Sequence, residues 1–188
     1  ESLLQNTVRR LKGLIRPKQI FLITNQAYFF ELKKQIEKFY IPDENIILEP
    51  QGKNTAPAIG LCARLIEQKN KDAVLAVFPA DHYIKNIKEF RGCISRAVQC
   101  ASSDFLVTIG IRPNKPATGY GYIKIKSKIK NQKSKINYFE VEKFLEKPTL
   151  AKAKEYVKSK NYFWNSGMFI WKVSVFRDEL AKYMPELY

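Results

Sequence analysis

Short apolar runs that alternate with helical patterns constrain this chain more than any other feature of its sequence. Ser2 to Leu14 reads as a helix, with Ser2 at its N-cap and Leu4, Val8 and Leu11 on one face. Ile20 to Thr24 is a short apolar run, read as a buried strand. Asn25 then caps a helix running to about Phe39, and Asn45 to Leu48 is the next strand. Thr55 to Gln68 is a helix whose first turn accommodates Pro57. Ala73 to Phe78 is a strand, Ile87 to Ala101 a helix and Phe105 to Ile111 a strand. This rhythm predicts an α/β fold built from parallel βαβ units.

The rhythm changes after Gly119. Tyr120 to Lys126 and Asn137 to Leu145 are strand-like with no helix between them. Thr149 to Ser159 reads as a helix, Phe163 to Lys172 as a strand, and Ser174 to Tyr183 as a helix capped by Ser174. Two successive strands imply an antiparallel section, so the expected sheet is mixed, mostly parallel, and flanked by helices. The length of 188 residues suits one domain. A helix stands first, with no strand before it, which suggests a piece cut from a longer fold.

Composition narrows the classes of function. The net charge is +15, from 33 basic and 18 acidic residues, a balance that attracts anions. Many of the lysines fall at helical intervals and read as solvated faces. The densest run, Lys124 to Lys135, reads as a strand entering an exposed loop, and no nucleic-acid motif accompanies it. No stretch approaches the ~20 apolar residues of a membrane span, and the N-terminus is unlike a signal peptide. We therefore expect a cytoplasmic protein without nucleic-acid or membrane partners; a homo-oligomer is compatible with this reading. Cys62, Cys93 and Cys100 match no zinc or redox spacing and read as reduced thiols on helix faces.

Ligands of open α/β sheets bind beyond the carboxyl ends of the strands, and four groups of residues fall there. Glu49 to Ala58 follows a strand and opens a helix; Gly52 permits a tight turn, and Asn54 and Thr55 are capping residues. The plain alternative is an ordinary strand–loop–helix connection. Glu49 adds a carboxylate that could accept from both N1–H and the N2 amino group of guanine, a pairing that adenine cannot make. Phe78-Pro79-Ala80-Asp81-His82 places an acid directly past a strand, suited to Mg²⁺ or equally to capping a turn. His82 stands alone and reads as a hydrogen-bonding or packing residue. Thr118 to Tyr122 sets Tyr120 between two glycines, a weak sign of close approach to a ligand. Glu146 can accept from sugar hydroxyls, Lys147 can donate to a phosphate, and Asn165 can do both with a hydroxyl. Glu146 and Lys147 could equally be a solvated charge pair.

Taken together, the strings EPQGKNTAPAIG, FPADHYI, TIGIRPNKPATGYGYI, VEKFLEKP and YFWNSGMFIWK resemble mannose-1-phosphate guanylyltransferases in order and spacing. These belong to the nucleotide-diphospho-sugar pyrophosphorylases, and the resemblance covers essentially the whole chain. It implies a Rossmann-like nucleotide-diphospho-sugar transferase fold. It implies that GTP and mannose 1-phosphate give GDP-mannose and pyrophosphate by in-line attack, with Mg²⁺. It places Glu49, Gly52, Lys53, Asn54, Thr55, Pro79 and Ala80 at the nucleotide. It places Asp81 at the metal, Tyr120, Gly121, Glu146 and Asn165 at the sugar, and Lys147 at the sugar phosphate, with Asp81 and Lys147 as the catalytic pair. It also predicts that positions 49, 81, 146 and 147 lie round one cleft.

Three departures qualify the resemblance. Lys53 stands where the family usually has Arg, which weakens any bidentate phosphate contact. The family's N-terminal Gly-rich loop, of the form GGxGTRLWP, is not in these residues. The family's second metal-binding Asp and a fused phosphomannose isomerase tail are not in them either. The 188-residue piece is accordingly expected to be inactive or nearly so on its own. Another hexose phosphate or nucleotide, or a non-catalytic regulatory role, remain the alternative readings.

Overall fold

Ser2 sets the first helix in the computed structural model, which describes residues 1–49, 55–130 and 137–187, the side chains of 127–130 and 137 excepted. Its hydroxyl accepts from the Gln5 N–H while the Gln5 side chain accepts from the Ser2 N–H, a reciprocal capping box. Helix α1 (Leu3–Leu11) stops three residues short of the expected end. Lys12 leaves the helical conformation at ψ 125, and the Leu11 carbonyl closes a turn by accepting from Leu14 and Ile15. Strand β1 (Leu22–Asn25) follows. Asn25 does act as a cap, but of a 3₁₀ turn (Gln26–Tyr28) that leads into α2 (Phe29–Ile36). A second 3₁₀ turn (Glu37–Phe39) ends the segment, so a helix expected to run unbroken to Phe39 is tightened at both ends.

The chain folds into two units, Glu1–Val107 with Phe169–Tyr188, and Thr108–Met168. In the first unit, β1 pairs in parallel with β2 (Ile46–Glu49), with Asn25 opposite Glu49. Helix α3 (Thr55–Lys69), strand β3 (Val74–Val77) and helix α4 (Ile87–Ala101) succeed one another as the periodicity predicts. One core cluster joins Val8 of α1, Leu32 and Ile36 of α2, and Ile41. A second joins Ile59 and Ala63 of α3, Leu75 of β3, Trp171 and Val173. Burying such side chains stabilises by roughly 1.5–3 kcal/mol each relative to leaving them exposed. The apolar faces of β1 and β3 line a cavity of about 830 Å³ in this unit.

The second unit holds strand β5 (Tyr122–Lys130) between β6 (Asn137–Leu145) and β7 (Tyr162–Lys172), of which residues 162–168 belong to this unit. Strand β4 (Val107–Ile111) also pairs with β7, and helix α5 (Leu150–Ser159) connects β6 to β7. Tyr122 and Ala153 are fully buried here, and Tyr122 meets Tyr156 edge-on at 5.2 Å.

The α/β class is as expected, but the strand directions differ from the mixed, mostly parallel sheet expected. Among the described ladders of defined direction only β1–β2 is parallel; β3–β7, β5–β6 and β5–β7 are antiparallel. The β5–β6 hairpin reverses the chain, so β7 returns against its neighbours. A second correction concerns Ser174. Helix α6 spans Val173–Tyr183, and its N-cap is Lys172, without a side-chain bond. Val173 is 1% exposed and its N–H donates to the Ala73 carbonyl, so strand passes directly into helix and Ser174 lies inside it.

All three cysteines are free and partly buried. Burial pushes the Cys62 thiol up to about 11 and raises Cys93 and Cys100 as well. At pH 8 Cys62 should carry on the order of a hundredfold less thiolate than an ordinary cysteine. Iodoacetamide labelling followed by peptide mass analysis should therefore find Cys62 slow in the native chain and fast in denaturant. Equal rates in both conditions would contradict its burial.

Candidate functional site

In the first unit the sequence places one carboxylate at or just past the end of each of two strands. Glu49 is the last residue of β2, held in register by Asn25. It is partly buried, and its Oε1 is buried without a hydrogen-bond partner among the described residues. A buried, unpaired carboxylate oxygen is costly, and a ligand offering N–H groups would relieve it. Gly52, Lys53 and Asn54 lie outside the described residues. Thr55 opens α3 with its side chain exposed, so a polar side chain leads the first turn of that helix.

Asp81 follows β3 and the turn Phe78-Pro79-Ala80. Phe78 packs edge-on against Phe90 of α4 at 5.8 Å, which anchors the start of the turn. Pro79 is partly buried and Ala80 exposed. The Asp81 side chain is 82% exposed, and its Oδ1 lies 4.0 Å from His82 Nε2. The two carbonyls flanking Asp81 are held from α1. Thr7 Oγ1 lies 3.2 Å from the Ala80 carbonyl oxygen, and Arg10 donates to the His82 carbonyl oxygen at 2.8 Å. Neither Thr7 nor Arg10 was visible as a site residue in the sequence. They stand more than seventy positions before the loop they hold, and no local pattern links them to it.

Asp81 fits the way Mg²⁺ is commonly held. The described residues contain no group of three His, Cys, Asp or Glu side chains able to cage a metal. Mg²⁺ instead binds through one or two carboxylates together with substrate phosphates and water, which a single exposed acid at a strand end can serve.

In the second unit the strand register gathers the sugar-side candidates. Tyr122 pairs with Leu145 on one side and with Trp164 on the other, which sets Gly121 beside Asn165 and next to the strand end that precedes Glu146. The Asn165 N–H donates to the Gly121 carbonyl at 2.8 Å. A Cβ on Gly121 would sit 3.4 Å from the Leu145 carbonyl oxygen, in van der Waals contact. Asn165 Oδ1 accepts from the Gly167 N–H at 3.0 Å, and Gly167 takes the left-handed φ of 68° that this turn needs. With that oxygen engaged, Asn165 offers chiefly its amide hydrogens to a ligand, a narrower role than the donor-and-acceptor one expected. Glu146 and Lys147 are both exposed, as ligand-facing charges and solvated charges alike would be. Tyr120 is half exposed and meets Trp164 edge-on at 5.1 Å. The Trp164 indole N–H is buried without a partner among the described residues, a donor that sequence reasoning passed over because an aromatic in a strand reads as core.

The dense lysine strand is partly neutralised. Lys124 pairs with Glu142 at 2.8 Å and Lys126 with Glu140 at 3.3 Å across the β5–β6 hairpin. The Lys124 hydrogen bond holds the Glu142 carboxyl below its usual range and raises the lysine in turn. No helix among the described residues is long and apolar enough to cross a membrane.

Comparison with known proteins agrees with these motifs. The chain is 38% identical over 188 residues to the mannose-1-phosphate guanylyltransferase of Escherichia coli, spanning 99% of this chain and 40% of that protein. It is 40% identical over 186 residues to the protein of the same name from Klebsiella pneumoniae, again 99% of this chain and 39% of the relative. The chain thus spans about two-fifths of the length of these curated relatives. A crystal structure described as mannose-6-phosphate isomerase from Helicobacter pylori superposes with a TM-score of 0.81 at 33% identity, covering 99% of this chain and 67% of that one. The nucleotidyl transferase family model matches residues 1–188, and on that match the chain belongs to the nucleotidyl transferase family.

Proposed function

We propose that this chain carries the nucleotide and sugar-phosphate recognition residues of an enzyme that transfers a guanylyl group from GTP to mannose 1-phosphate. A phosphate oxygen of the sugar attacks the α-phosphorus of GTP in line. The bond to the β-phosphate breaks, giving GDP-mannose and pyrophosphate. The observation that carries the choice of guanine is the buried, unpaired Oε1 of Glu49 at a strand end, which matches the adjacent N–H donors of that base. The names of the curated relatives support the same reading.

Each residue has a task that its placement supports. Thr55 leads a helix turn whose N–H groups favour a polar or anionic group. Lys147 supplies a positive charge to the attacking phosphate and lowers the repulsion between two anions. Glu146 accepts from sugar hydroxyls, and Asn165 donates to one. Gly121 and Tyr120 let the sugar approach the β5 backbone. Asp81 would hold Mg²⁺, which when bound neutralises charge on the phosphates. No covalent intermediate is needed, so positioning and charge neutralisation supply most of the rate.

The test is product formation by protein expressed from the full coding sequence. GTP should be used in preference to ATP, UTP and dTTP with mannose 1-phosphate, at a turnover of ~1–1000 per second. A preference for another nucleotide would remove the role of Glu49. A second reading, isomerisation of a hexose phosphate, has one support, the isomerase name of the Helicobacter structure. Conversion of mannose 6-phosphate to a ketose phosphate, without any nucleotide sugar being formed, would favour it.

A further inference from the structure

We infer that Arg10, acting with Thr7, is a positioning residue that fixes the loop presenting Asp81. The inference rests on the proposed reading of Asp81 as a cation ligand. Arg10 is 2% exposed, an unusual setting for a guanidinium. Among the described residues it forms no ion pair with a carboxylate: one terminal nitrogen donates to the His82 carbonyl at 2.8 Å and the other to Thr7 Oγ1 at 2.7 Å. Thr7 Oγ1 in turn reaches the Ala80 carbonyl at 3.2 Å and the Leu3 carbonyl at 2.9 Å, and its single proton serves one of them at a time. The Arg10 backbone is fixed as well, because Arg91 Nε of α4 donates to its carbonyl at 2.9 Å. The guanidinium also lies 5.5 Å from the Phe90 ring centre.

Burying an unpaired cation is expensive, and here Nε has no partner among the described residues. A packed apolar residue would serve a purely structural contact at lower cost. What the guanidinium achieves is specific: it ties the His82 carbonyl directly to α1 and, by donating to Thr7 Oγ1, orients the hydroxyl that reaches the Ala80 carbonyl in alternation with that of Leu3. The carboxylate between them is therefore displayed from a backbone with little freedom, while the side chain itself stays 82% exposed. A ligand held ready in this way loses less conformational entropy when it binds. A lysine would carry the charge without the forked geometry.

His82 provides a reporter, because it is the only histidine in the chain and its Nε2 lies 4.0 Å from the Asp81 carboxylate. With GTP present, Mn²⁺ added to protein expressed from the full coding sequence should broaden the imidazole proton signals of His82, assigned by their loss in His82→Gln, at low metal concentration. Arg10→Met and Thr7→Val should each require about tenfold more Mn²⁺ for the same broadening, as for loss of an outer-shell partner. Arg10→Lys should fall between them and the unaltered chain. Thermal melting by circular dichroism identifies the variants that remain folded, and Thr7→Val, close in shape to the original, carries the test if Arg10→Met does not fold. Unchanged broadening in the folded variants overturns the role of Arg10 and Thr7 while leaving Asp81 as ligand. Absence of broadening in the unaltered chain removes the Asp81 reading and this inference with it.

Discussion

Asp81→Asn is expected to lower kcat/KM for GDP-mannose formation by about 10²–10³-fold, the scale of losing one well-placed electrostatic contact to a transferring phosphoryl group. That corresponds to roughly 3–4 kcal/mol of transition-state stabilisation. The substitution keeps the shape of the side chain and removes its charge. The side chain is 82% exposed and its closest approach to another titratable side chain among the described contacts is 4.0 Å, to His82, so the melting temperature should hardly move. Steady-state kinetics against Mg²⁺ concentration check the prediction. The variant should need more Mg²⁺ and regain part of its rate as the ion is raised. A variant with the rate and Mg²⁺ dependence of the unaltered enzyme would take Asp81 out of the chemistry. A large loss of thermal stability would show that the residue supports the turn.

Glu49→Gln tests base choice. A carboxylate that accepts two N–H bonds from guanine is replaced by an amide with one acceptor and a donor facing the base. The expected loss in kcat/KM with GTP is about 1–3 kcal/mol, or roughly five- to 150-fold, with smaller changes for ATP and UTP. The same substitution should leave the ligand-free protein as stable as before, or more so. Its Oε1 makes no hydrogen bond among the described residues, and a neutral amide costs less to bury than an ion. Loss of activity with unchanged or increased stability is the signature of a group kept for a ligand and not for the fold. An equal loss across all four nucleotides would remove the base-reading role.

Much of the fold was legible because it is local. The bounds of α4 and β6 match the periodicity residue for residue, since each carries its own pattern and its own end signals. Ser2 was readable as the N-cap, and the structure completes the cap as a reciprocal pair with Gln5. The caps at Asn25 and Ser174 were harder. Asn25 caps a tighter turn than expected, and Ser174 loses its place to Lys172 because burial of Val173 fixes where the strand ends. A cap is chosen by local chemistry only where tertiary packing leaves the choice open.

Along the linear chain alone, the elements and the chemical kinds of residue at their ends can already be named: acids at the ends of β2 and β3, an acid and an amine after β6, an amide within β7. Folding in space settles which of these groups lose their partners to burial and which backbone holds them. The orphaned Oε1 of Glu49, the engaged Oδ1 of Asn165 and the Arg10–Thr7 grip on the Asp81 loop each depend on atoms brought together from different elements or across a turn. Propensity and periodicity act over a few residues along the chain. Desolvation and hydrogen-bond satisfaction depend on neighbours in space, and a linear pattern carries no record of them.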